Sequence, residues 1–176
     1  HQDAHRILIS LAQEFSHSGE ASRGLCLALE QLCEGNAPVQ HHLYECECAD
    51  VFISLLDLHI TGDANVVEAV VRAIAAFCHD FPDGAAAIGV PGCRLLVQAL
   101  TQHQFSEVVI CACCKTLYSM GEQMLCITDG SVVAAVLMAI TNFSKSESII
   151  QCVFGAVATL ANGLRDRKAL GSGGAC

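Results

Sequence analysis

The sequence predicts an all-α fold built from a recurring helical unit. Three observations carry this. Apolar residues follow a helical period along nearly all of the 176 residues. Strand signals are missing, because no alternating β-branched run is closed by a hairpin dipeptide. Similar helix junctions and helix cores also return at intervals near 42 residues, a period typical of helical arrays.

The elements follow in order. Residues 1–16, "HQDAHRILISLAQEFS", read as a helix closed by the breaker "HSGEAS". A longer helix with the core step "ALEQLC" from Ala28 ends at "EGNAP". In "NAPVQHHLYECECADV", Pro38 suits the first turn of a short helix. A turn holding Cys48 leads from it into "CADVFISLLDL".

After "ITGDAN" comes "ANVVEAVVRAIAAFCH" (64–79). Here Val67, Val70, Val71, Ile74, Phe77 and Cys78 share one face, and Glu68, Arg72, Ala76 and His79 share another. Glu68 and Arg72, four apart, are placed to pair. "FPDG" and "VPG" bracket a further short helix before "VPGCRLLVQAL" (90–100). "SEVVICACCKTLYSM", "TDGSVVAAVLMAI" and "SIIQCVFGAVATLAN" complete the helices, and "GSGG" is a final breaker.

The repeat shows in two alignments. Asp50, Gly92 and Gly130 mark equivalent turns 42 and 38 residues apart, with another at Gly174. The long-helix cores at Ala28, Ala73, Thr116 and Ala156 are separated by 45, 43 and 40 residues.

Composition narrows the function classes. Apolar residues make up 53% and charged residues 15%, too apolar for disorder. No run approaches the roughly 18 uninterrupted apolar residues of a membrane span, and no secretory pattern opens the chain. Net charge is −9, with 13 acids against three arginines in residues 1–88. That balance disfavours a nucleic-acid surface, which needs clustered Lys and Arg. It suits either a solvated acidic face or a basic partner segment. The 12 cysteines mostly fall within apolar helical patterns, so reduced thiols in a reducing, cytoplasmic compartment are expected rather than a disulfide framework.

Units 83–121 and 126–163 each run from a short helix ending in Gly, through an aliphatic helix and a polar turn, to a long third helix. In this order the chain resembles the armadillo-repeat family, with approximate units 1–34, 35–80, 83–121 and 122–163 and the start of another at 164–176. The resemblance implies a right-handed α-solenoid of about four repeats, incomplete at both ends. Its third helices would line a groove for a protein or an extended peptide, and the open ends would allow self-association. The groove candidates are Arg23, Gln31, Glu68, Arg72, Lys115, Ser119, Gln151 and Thr159. The family's peptide-gripping Asn positions hold Gln31, Ala76, Ser119 and Thr159, and its Trp positions hold Leu27, Arg72, Lys115 and Gly155. Nuclear-import cargo binding is therefore not expected. Arg72 and Lys115 would instead offer positive charge to an acidic ligand side chain.

No nucleophile elbow, phosphate loop or zinc-hydrolase motif occurs, so neither catalysis nor a cofactor is expected. "CACCK" reads as core filler, with Cys114, Ile110 and Leu117 on the apolar face. Cys111, one turn before Lys115, is the exception if it is exposed, because the ammonium would favour its thiolate. His17, His59, His79 and His103 fall near helix ends, where they can serve terminal carbonyls. The alternative to a binding module is a metal- or thiol-dependent regulatory domain using residues 41–48. There His42 and Cys46 stack at i, i+4 and Cys48 could swing back, one ligand short of a structural zinc site.

Overall fold

The structure, a computed structural model, describes residues 2–121 and 131–158, and these residues contain nine α-helices and no strand. The helices are α1 (Gln2–Glu14), α2 (Gly19–Cys33), α3 (Ala37–Glu45), α4 (Cys48–His59) and α5 (Ala64–Cys78). They continue with α6 (Pro82–Gln102), α7 (Glu107–Ser119), α8 (Ser131–Asn142) and α9 (Glu147–Ala158). The junction at Gly130, the turn at Gly174, Thr159 and unit 164–176 lie outside the described residues.

Local chemistry sets the boundaries. Ser18, Asn36 and Asp63 cap α2, α3 and α5 by accepting from backbone N–H groups inside each first turn. The breaker "VPG" bends a helix rather than ending one. Gly89 is buried at φ 51° and ψ −156°, a conformation open to glycine, so α6 kinks there and continues from Pro91. By length and composition α6 could cross a bilayer, yet half of it is buried inside the protein.

The helices touch in two series. α5 packs most extensively against α2 on one side and α7 on the other, while α4 packs on α6 and α6 on α8. The apolar face expected of residues 64–79 is the buried face of α5, joined by Val66, Ala69 and Ala73. Phe77 contacts the rings of Phe52 and Phe81 at centroid distances of 5.7 and 5.9 Å. Burying a ring of this size stabilises the fold by about 2–3 kcal/mol.

Long-range hydrogen bonds tie successive helix ends together. The Nε2 of His59 lies 2.7 Å from the Ser16 carbonyl, and that of His103 lies 2.8 Å from the Ile60 carbonyl, each pair 43 residues apart. Asn142 donates to the Gln104 carbonyl over 38 residues. These histidines therefore serve the end of the preceding helix in the series, not their own. Thr116 donates to the carbonyls of Val71 and Ala112, and Gln40 donates to Ala76 and His79 at 2.8 and 2.9 Å. The last bonds satisfy carbonyls that the end of α5 leaves without intrahelical donors.

Candidate binding groove

α2, α5, α7 and the start of α9 leave between them an open groove of about 1210 Å³. Glu30 and the Glu34–Ala37 turn form one side. Glu68, Arg72, Ala75 and Ala76 form the floor from α5, spaced as one helical face requires. Glu107, Val108, Cys111, Lys115, Tyr118 and Ser119 come from α7, and Ser148 from α9.

Arg72 sits at the centre and is already committed. Its Nε and Nη2 both donate to Glu30 Oε1, at 2.9 and 2.7 Å, and its Nη1 lies 3.5 Å from Glu68. The Glu30 hydrogen bonds, more than any other influence, push the guanidinium pKa further up. The Glu68–Arg72 pair is the one its i, i+4 spacing predicts. Glu30 comes from 42 residues away. The second oxygen of Glu30, Oε2, is buried and has no hydrogen-bond partner among the described residues.

The sign of the groove follows. Glu30, Glu34, Glu68, Asp80 and Glu107 set five carboxylates against two permanent cations, Arg72 and Lys115. With Arg72 held by two carboxylates, the expectation that it offers charge to an acidic ligand does not survive. Lys115 is exposed and forms no ion pair among the described residues.

The structure brings Glu68, Arg72, Lys115 and Ser119 together on the groove. Arg23 and Gln151 are exposed on α2 and α9 but are not part of its lining, and Gln31 donates to Glu34 beside it. Sequence reasoning missed Glu30, Glu34, Glu107 and Gln40. The signal for Glu30 was present, since Glu30 and Arg72 stand one repeat spacing apart.

The His/Cys stretch does not assemble. His42 and Cys46 approach within 4.0 Å on α3. Cys48 is not in a turn: Glu47, at φ 58°, is the N-cap of α4, so Cys48 starts that helix and is fully buried. Burial, reinforced by neighbouring thiols, drives its pKa far up, against the thiolate a metal needs. Among the described residues no three His, Cys, Asp or Glu side chains are grouped to hold a metal ion.

Among the ten described cysteines none is joined to another in a disulfide. Burial pushes Cys26, Cys33 and Cys114 up to about 12. Cys113 is fully buried as well. No protein-family model matches the chain, and neither does any curated protein.

Proposed function

We propose that the chain is an armadillo-like α-solenoid that acts as a protein-interaction scaffold and holds a basic, extended partner segment in this groove. The excess of carboxylates along the groove carries the proposal. Its architectural support is the double series of helix contacts, together with bonds that recur over about 43 residues. In this reading α2, α5 and α7 are third helices, and α1, α4, α6 and α8 are second helices. Two helix spacings of about 10 Å each accommodate roughly six extended residues. Lys or Arg side chains of the segment would sit by Glu34 and Glu68. Binding needs no catalytic group or cofactor, and buried reduced thiols suit a cytoplasmic setting.

Fluorescence anisotropy with labelled six- to ten-residue peptides tests this. A peptide alternating Lys or Arg with small residues is expected to bind, more weakly as salt rises. An acidic peptide of equal length is expected not to. A Glu34→Gln/Glu68→Gln variant should lose about five- to tenfold in affinity, at up to 1 kcal/mol per exposed pair, while Arg72→Ala should gain. Equal binding of both peptides, or indifference to these substitutions in folded protein, overturns the proposal.

A further inference from the structure

Two half-exposed thiols meet where the groove passes from α7 to α9. Cys111 lines the groove, with its Sγ 3.3 Å from the Ser148 hydroxyl oxygen. Cys152 lies one turn after Ser148 on α9, so it shares the face that Cys111 approaches, and the two thiols act on each other electrostatically. Both are free, and both are more accessible than the buried Cys113 and Cys114 beside them. Lys115 follows Cys111 by one helical turn and acts electrostatically on Cys152. Both side chains pack partly against the core, yet each remains accessible between the two helices, unlike Cys113 and Cys114.

We propose that Cys111 and Cys152 form a peroxide-responsive thiol pair whose disulfide joins α7 to α9 and resets the Lys115 end of the groove. Cys111, open to the groove, attacks first. Its sulfur takes one oxygen of hydrogen peroxide, the O–O bond breaks, and the released hydroxide leaves as water with the thiol proton. The resulting sulfenic acid lies beside Cys152. The Cys152 sulfur attacks the Cys111 sulfur, the S–O bond breaks, and hydroxide leaves with the Cys152 proton as a second water. Two thiols are oxidised by two electrons and one peroxide is reduced to two waters. A disulfide needs its two sulfurs about 2 Å apart, a separation that thiols on facing turns of two helices reach by rotamer changes. Burial and the neighbouring thiol push Cys152 up while Lys115 pulls it down, which suits the resolving role over the attacking one.

The test uses the full chain, reduced and then exposed to hydrogen peroxide, blocked with an alkylating agent and read by intact mass and fragment sequencing. Before blocking, the expected product is lighter by two hydrogens and returns to its starting mass with dithiothreitol; after blocking, fragment sequencing finds a Cys111–Cys152 link. Cys111→Ser and Cys152→Ser should each abolish the link without loss of helix content. Lys115→Gln should slow it severalfold, because the ammonium favours the Cys152 thiolate that attacks in the second step. A link that persists in either serine variant, or one made instead by Cys126 or Cys176, overturns the proposal. So does oxidation of single cysteines without any link. The readout does not depend on a bound peptide, so it stands or falls separately from the groove's binding function.

Discussion

Raising the pH should unfold this protein near pH 10–11, and its thiols should ionise together with the loss of helix. Six thiols (Cys26, Cys33, Cys48, Cys78, Cys113 and Cys114) are held above the ordinary value of 9.0, in each case chiefly by burial. The unfolded chain gives up these protons near pH 9, whereas the folded chain keeps them to about 12 or beyond. The contribution of each thiol is therefore intact below pH 9 and is lost as pH climbs from there. One pH unit is worth about 1.4 kcal/mol per proton. At pH 10 the six together remove about 8 kcal/mol, comparable to the roughly 5–15 kcal/mol by which domains are stable. Circular dichroism at 222 nm and thiolate absorbance at 240 nm, followed together in reductant, should change in one transition. Replacing Cys26 and Cys33 by Ala should move that transition to higher pH, because two of the linked protons are gone. Thiolate signal for most cysteines near pH 9 with helix content unchanged would refute the buried-thiol core.

Two further outcomes bear on the fold. Gln40→Leu removes the bonds to Ala76 and His79, at about 1 kcal/mol each, and should lower Tm by about 4–8 °C. An unchanged melt would mean those carbonyls find other donors. Gly92→Ala should cost about 1–3 kcal/mol, because a Cβ there meets the stiff Cγ2 of Ile88 inside the kinked α6. Gly24→Ala, where a Cβ meets nothing within 4 Å, should instead be neutral or mildly stabilising in the same chemical-denaturation assay.

What the sequence disclosed was local. The buried face of α5, the Glu68–Arg72 pair, the Pro38 start of α3 and the break at Gly89–Pro91 each depend on residues within a few turns of one another. Register between distant helices was not legible in the same way. Glu30 reaches Arg72 and Gln40 reaches the end of α5 only because α2, α3 and α5 stack at one particular offset. Cys48 was misplaced for a related reason. The left-handed conformation at Glu47 turns the chain in one residue, so the turn is shorter than the composition of "ECEC" implies. The groove's sign was half visible: the acidic N-terminal half was plain, but the neutralisation of Arg72 required a partner 42 residues away.

The two ends of the groove differ in charge, and this restricts how a segment could lie in it. At the α2–α5 end, Glu30 is committed to Arg72 and its second oxygen is buried, so an incoming cation can add to Glu34 or Glu68 without displacing that pair. At the α7 end, Glu107 accepts from the hydroxyls of Ser146 and Ser148, and the exposed Lys115 offsets its charge. A basic segment would therefore be held from the α2–α5 end, with an acidic residue or a free carboxylate favoured next to Lys115. Oxidation of Cys111 and Cys152 would act on the Lys115 end alone. Its effect on binding should be larger for peptides that carry an acid at that terminus than for uniformly basic ones.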